Sequence, residues 1–313
     1  MEKGNRTTIP DFILVGFSDV LQLKYFLFVL FLCIYKVSLL AHMFIILLYR
    51  FSPNLHTPMY FFLVNFSILE ICYLSTIVPK MLINFFSQQK TITFYGCAIQ
   101  MYTFLLLGST ECYMLAAMAY DRYNAICHPL LYNNIMRRVI CIRLVSGSWL
   151  IGTTVGVLQT SFIFSLSFCG SNRINHFYCD IPPLVSLACN NTNFNEIATF
   201  IIASFLIVGS FLLTIISYTK IIWTIIKYHP AANRKKAFST CTSHLIVVFM
   251  FYGSSGIMYL RPKSSYGKNE EKFLSLMYTI IAPLLNPFIY SLRNKDVKCA
   301  VRKILCEIKL AYS

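Results

Sequence analysis

Apolar residues run along this chain in long unbroken stretches. The first, FLFVLFLCIYKVSLLAHMFIILL, extends from Phe26 to Leu48 and is interrupted only by Lys36, Ser38 and His42. A bilayer core is crossed by about 20 mostly apolar residues in a helix. The pattern predicts seven such spans, over residues 25–49, 58–80, 97–120, 139–164, 197–223, 238–260 and 273–292. Each is expected to be helical, because backbone groups in lipid must be satisfied within their own segment. The alternation of barrel strands is absent. The expected architecture is an all-α seven-helix bundle over residues 25–292, with an outer N-terminus (1–24) and an inner tail (293–313).

Composition agrees with this pattern. Hydrophobic residues make up 57% of the 313 positions and charged residues 12%, with a mean hydropathy of +0.63, outside the usual range of soluble domains. The first 23 residues lack a basic start, an apolar core and a small-residue cleavage site, so insertion through the first span is expected. The odd number of spans gives no support to a transporter built from two equal halves.

The net charge of +15 is explained by topology. With the N-terminus outside, Arg50, Arg137, Arg138, Arg143, Arg234, Lys235, Lys236, Arg293, Lys295, Lys298, Arg302 and Lys303 all lie on the inner side, opposed only by Asp121, Asp296 and Glu307. Such an excess marks the cytoplasmic face. It also suits anionic lipid and an acidic cytosolic partner, and no nucleic acid is needed to account for it. The sequons at Asn5 and Asn190 then fall outside, while Asn65-Phe66-Ser67 lies within a span and is a chance match. Cys97, Cys169, Cys179 and Cys189 face the oxidising side, where three pairings are open to them. Cys33, Cys72, Cys112, Cys127, Cys141 and Cys241 are expected to be free, and no cluster has zinc-ligand spacing.

Polar residues inside the spans carry the functional signal. MAYDRYNAIC (Met118–Cys127) puts Asp121, Arg122 and Tyr123 at the inner end of span three. PLLNPFIY puts Asn286, Pro287 and Tyr290 near the inner end of span seven. With Trp149 in span four and Cys97 opening span three, this set resembles the rhodopsin-like G-protein-coupled receptors. A narrower resemblance covers the chain from the N-terminal sequon to the tail. LHTPMYFFL (Leu55–Leu63), MAYDRYNAICHPLLY (Met118–Tyr132), Ser217-Tyr218, FSTCTSHL (Phe238–Leu245), PLLNPFIYSLRNKDV (Pro283–Val297) and the three-cysteine loop with FYCDIPPL are similar to the signatures of odorant receptors, in the class with shorter outer loops. The chain departs from that pattern at Lys36, at Ala41-His42 in place of Gly-Asn, and at Asn124 in place of Val.

The resemblance implies a receptor that binds a small volatile odorant and activates a stimulatory, olfactory-type G protein to raise cyclic AMP, in the plasma membrane of an olfactory sensory neuron. It implies that Asp121 holds Arg122 at rest, and that Tyr218 and Tyr290 reach Arg122 when the inner helix ends separate. His244 is expected to face the interior beside the moving start of span six. Pro287 breaks span seven, and Asn286 is expected to serve the freed carbonyls. Cys97 is expected to pair with Cys179, leaving Cys169 with Cys189; Cys97–Cys189 is the alternative.

Counting back from Arg122 by helical turns puts Phe104, Leu105, Gly108 and Ser109 on the inward face of span three. By analogy with the family, Ile202 and Leu206, then Ser255, Gly256 and Tyr259, then Leu276 and Thr279 face them from spans five, six and seven. Such a pocket is apolar with a few hydroxyls, and no acid is expected in its layer.

Deeper in the bundle, Ser67, Glu70, Glu111 and Asn286 are expected to form a polar cluster. Two carboxylates in one dry space require a cation or a proton, and a sodium ion has that role in related receptors. His42 is expected to donate to Glu70 and replace part of that charge. Val297, Val301, Ile304 and Ile308 mark an amphipathic helix on the inner leaflet, with Cys299 and Cys306 as free thiols or palmitoylation sites. A transporter or channel using Lys36, Glu70 and Glu111 is the alternative function. No enzyme is expected, since no catalytic set, paired His ligands or phosphate loop has suitable spacing.

Overall fold

The computed structural model describes residues 11–17, 20–169, 171–228, 231–260 and 268–291, with Val297, Cys299 and Arg302 beyond them; for most of 231–243, and for Lys268, Asn269, Tyr290 and Ser291, it describes the backbone path alone. The sequons at Asn5 and the tail helix with Cys306 lie outside the described residues.

The bundle is made of α1 (Leu21–Phe51), α2 (Pro58–Phe86), α3 (Phe94–Cys127), α5 (Arg138–Phe164), α7 (Asn193–Tyr228), α8 (Ala231–Leu260) and a last rod in which α9 (Lys268–Leu276) and α10 (Ala282–Ser291) are joined by a π-turn, Met277–Ile281. Two short helices, α4 (Tyr132–Ile135) and α6 (Ile181–Val185), lie in the loops. Five of the rods are long and apolar enough to cross a membrane by themselves; α8 contributes a shorter apolar stretch, His244–Leu260. The third rod, α3, is longer than the bilayer needs but carries Gln100, Glu111, Asp121 and Arg122. It is the axis of the molecule, with its largest contacts to α5 and α7.

Local chemistry sets the helix ends. Pro58 occupies the first turn of α2, where a missing N–H costs nothing. Thr93 caps α3, its Oγ1 accepting from Gly96 N at 3.0 Å. The helices overrun the apolar stretches at both ends, so Asp121-Arg122-Tyr123 lies inside α3, with about one further turn projecting beyond it on the inner side.

Close approach of α3 and α5 depends on small residues. Ser148, Gly152 and Gly156 form a buried stripe with four-residue spacing on α5, a pattern that lets helix backbones meet in a membrane. A Cβ on Gly152 would come within 2.1 Å of Thr110 Oγ1 and 2.5 Å of the Leu106 carbonyl.

The outer end carries a small sheet that the hydrophobic pattern did not suggest. β1 (Asp11–Leu14) lies in the middle, antiparallel to β2 (Thr91–Thr93) and parallel to β3 (Arg173–Ile174). Its alternation is only two buried residues long, Phe12 and Leu14, too short to stand out against spans of twenty. These two side chains join Cys97, Met101, Ile163 and Leu184 in a core above the bundle. Bridges Cys97–Cys179 and Cys169–Cys189 tie the long outer loop down.

Candidate functional site

A cavity lies among α2, α3, α5, α7, α8 and the last rod, under α6 of the outer loop. Of the residues proposed for a pocket, Phe104, Leu105, Gly108, Ser109, Ile202, Leu206, Ser255 and Tyr259 line it. Gly256, Leu276 and Thr279 do not. Gly256 packs towards Ile207 and Leu260. Leu276 joins the apolar core, and Thr279 is buried with its hydroxyl donated to the Ser275 carbonyl at 2.6 Å. The π-turn explains the last two. It holds a wider turn than a regular α-helix, and it is Tyr278 that faces the cavity.

Other lining residues were not expected from the sequence. Tyr73 comes from α2, and Val155 and Gln159 from α5, a helix left out of the expected pocket. Gln159 had a signal that went unused: an uncharged polar residue within an apolar span. Thr199 Oγ1 donates to its Oε1 at 3.2 Å.

No acid is among the residues that line the cavity, but one is buried directly behind them. Asp180, which caps α6, is fully buried in the roof of the cavity. Its carboxylate accepts from Tyr259 Oη at 2.9 Å, Tyr178 Oη at 3.1 Å and Ile181 N at 2.8 Å. Burial pushes its pKa up to about 6, against the pull of these three donors towards the charged form. Tyr178 also meets Tyr278 Oη at 3.0 Å, so roof and last rod are joined through tyrosine hydroxyls. Beside them His176 bonds Ser275 Oγ at 3.2 Å; burial first, then the nearby Lys272, pushes its pKa down to about 3, so the ring is neutral.

About half a turn below Ser109 on α3, a second polar group is sealed in the bundle. Glu70 and Glu111 are fully buried and lie within electrostatic range of one another. Asn286 Nδ2 donates to Glu70 Oε1. Glu70 Oε2, both Glu111 oxygens, Ser67 Oγ and Asn286 Oδ1 have no hydrogen-bond partner. Such a set of unpaired oxygens suits a hard monovalent cation, and sodium fits it. Two expectations fail here. His42 does not reach Glu70; its Nε2 bonds the Pro283 carbonyl at 3.1 Å. Nor does Asn286 serve a freed carbonyl, being turned to Glu70. The reason is Pro287, which lacks the N–H that would have bonded the carbonyl four residues back. That carbonyl belongs to Pro283, and the ring from α1 supplies the donor.

At the inner end, Arg122 Nη2 is 3.8 Å from Asp121 Oδ2. Asp121 is buried and also accepts from Tyr132 Oη, on α4, at 2.8 Å. Tyr123 Oη lies 3.1 Å from His128 Nε2. Asn124 is buried, with Nδ2 donating to the Tyr120 carbonyl at 2.8 Å, so this departure from the family pattern is absorbed within the helix. Tyr218 of α7 stacks on His244 of α8, with ring centroids 5.3 Å apart. The side chain of Tyr290 lies outside the described residues. Lys36 lies on the exposed surface of α1, away from both acids, which removes the motive for a charge-lined transport path. Asn190 is exposed on the outer loop.

A family model described as olfactory receptor matches residues 31–308. The chain belongs to the olfactory receptor family. It is 50% identical to olfactory receptor 10AG1 of Homo sapiens over 298 residues, 95% of this chain and 99% of that one. It is 45% identical to olfactory receptor 5M5 of Mus musculus, covering 97% and 96% of the two chains, and 48% identical to olfactory receptor 5I1 of Homo sapiens, covering 96% of each. As an olfactory receptor it is a multi-pass protein of the plasma membrane and a sensory receptor rather than an enzyme.

Proposed function

We propose that this olfactory receptor binds a small, weakly polar odorant in the cavity beneath α6 and passes the event along α3 to a stimulatory G protein, raising cyclic AMP. The observation that carries the reading is that one helix serves both ends. Ser109 lines the cavity and Arg122 sits at the inner face, separated along α3 by thirteen residues, or about 20 Å. Ligand contacts that differ between two bundle arrangements bias their populations, and Arg122 is released when the inner ends of α3, α7 and α8 separate. Tyr218 and Tyr290 then receive it, with Tyr123, His244 and the Pro287 kink shaping the same opening. The oxygen cluster around Glu70 and Glu111 holds sodium in the resting arrangement.

The test is a cyclic AMP reporter with a volatile library, run with surface staining on wild type and Arg122→Ala. The variant is expected to reach the surface and bind, and to lose the response by at least tenfold. A surface-expressed Arg122→Ala that responds like wild type overturns the assignment.

A further inference from the structure

The lipid-facing side of α7 changes character before the helix ends. Phe205, Leu212 and Ile216 are exposed and, at steps of seven and four residues, lie along one side of the helix. The same side continues through Lys220, Trp223 and Lys227, all exposed. Ser210, Thr214, Tyr218 and Ile221 are buried on the opposite side, against the bundle. The two lysines and the indole therefore point outward, to the surrounding bilayer, at the inner end of the span.

Aromatic rings hold both ammonium groups. Lys220 Nζ lies 5.5 Å from the ring centre of Tyr123, which α3 brings alongside. Lys227 Nζ lies 4.7 Å from the ring of Trp223 and 5.1 Å from that of Tyr228. The two lysines are seven residues apart, about 10 Å along the axis, with Trp223 between them and Lys227 turned back over its indole. Cys127 of α3 closes the seam, its Sγ 3.2 Å from Thr224 Oγ1. An outward-facing Trp at the end of a span lies at the level of the lipid headgroups.

The chain supplies these cations with no carboxylate from their own helices. No Asp or Glu occurs from Arg122 to Cys179, nor from Ile197 to Asn269. Asp121 is buried and turned to Tyr132 and Arg122. The other inner acids, Asp296 and Glu307, belong to the tail after the last rod. Two cations ordered on aromatic faces at the bilayer surface match an anion that the membrane itself carries.

We propose that the seam of α3 and α7 binds the headgroup of an anionic phospholipid of the inner leaflet. Its phosphate oxygens accept from Lys220 and Lys227, and its glycerol end rests on Trp223. The exposed apolar stripe through Leu212 and Ile216 runs on from the headgroup along the acyl chains, a contact that a soluble phosphate does not have. The site is independent of the odorant cavity at the outer end.

The test is native mass spectrometry of purified full-length receptor, titrated with phosphatidylinositol bisphosphate or with phosphatidylcholine of the same acyl chains. Wild type is expected to retain the first and not the second. Lys220→Gln with Lys227→Gln is expected to weaken retention by about tenfold or more, a lysine near an anionic surface contributing about fivefold. Trp223→Leu keeps both charges and removes the ring, and is expected to weaken it by about threefold. Arg137→Gln with Arg138→Gln removes the same charge from the exposed inner end of α5 and is expected to leave retention unchanged. If the double lysine variant does not fold, Trp223→Leu against the arginine pair decides. Equal retention of the two lipids, an equal loss in the arginine pair, or full retention by Trp223→Leu overturns the proposal, since the attraction would then be diffuse charge. Competition by the soluble inositol phosphate headgroup at the concentration of the lipid would assign the cations to a free phosphate and overturn the membrane reading as well.

Discussion

Single side chains settle the chemistry of this bundle where the backbone is broken. The Pro283 carbonyl accepts only, so the His42 nitrogen that faces it carries the proton. The other ring nitrogen has no partner, and the ring is the neutral tautomer. A buried carbonyl left without a donor costs about 1–3 kcal/mol. His42→Leu is therefore expected to lower surface expression severalfold, while His42→Asn, which keeps a donor on α1, is expected to match or exceed wild type. Flow cytometry of an N-terminal tag compares them, and normal staining of His42→Leu would show that the carbonyl bond contributes nothing. Asp180 offers a different test. Its pKa is raised in the folded protein from the ordinary 3.8 to about 6, so the folded state takes up its proton before the unfolded chain does. Stability from this group increases as pH falls from about 6 towards 3.8 and is lost as pH rises through 6. Wild type should gain thermal stability relative to Asp180→Asn between pH 7.5 and pH 5 in nanodiscs; parallel melting curves for the two would remove Asp180 from the account.

At the scale of elements, what could be read from the chain depended on how long each pattern is. Spans of twenty or more apolar residues announce themselves, and the face of α3 could be counted from Arg122 because α3 is an uninterrupted helix. The analogy with the family, which placed Leu276 and Thr279 at the cavity, failed in the last rod. There the π-turn at Met277–Ile281 replaces Leu276 and Thr279 with Tyr278 at the cavity, and nothing in MYTII marks a change of turn. Nothing was expected of α5, whose inward residues Val155 and Gln159 follow from its closeness to α3, a tertiary fact set by glycine. That closeness is itself testable. On Gly152 a methyl group would meet a backbone carbonyl at 2.5 Å, an obstacle that cannot rotate away; on Gly147 nothing lies within 4 Å. Overpacking of this kind costs about 1–3 kcal/mol. Gly152→Ala is expected to lower the melting temperature of purified receptor and to distort the cavity, with Gly147→Ala unchanged. Equal melting of the two variants would mean that α3 and α5 separate freely.

For the whole molecule, the outer cap decides whether a seven-helix bundle has a closed binding site. The bundle's own hold on Asp180 is through tyrosine hydroxyls, Tyr259 of α8 directly and Tyr278 by way of Tyr178; the loop that carries it is also fixed from outside. Two kinds of constraint do this. The short sheet β2-β1-β3 joins the N-terminal strand to the start of α3 and to the loop. The Cys97–Cys179 bridge then fastens the residue next to Asp180 to the first turn of α3, with Gln100 Oε1 accepting from Cys179 N at 3.0 Å. The bridges close loops of different length, 82 residues for Cys97–Cys179 and 20 for Cys169–Cys189. In the chain-entropy picture the longer loop is worth about 1 kcal/mol more, on a contribution of roughly 3–5 kcal/mol each. The difference in function should be larger than that difference in stability, because only the longer loop's bridge is adjacent to the roof. The paired substitution Cys97→Ser with Cys179→Ser is expected to lose odorant response even in the fraction that reaches the surface, whereas Cys169→Ser with Cys189→Ser is expected to lower surface expression and keep the response of what arrives. Response normalised to surface staining separates the two. If both pairs lose response in proportion to expression, the cap acts on folding alone and the roof over the cavity is held by the helices without it.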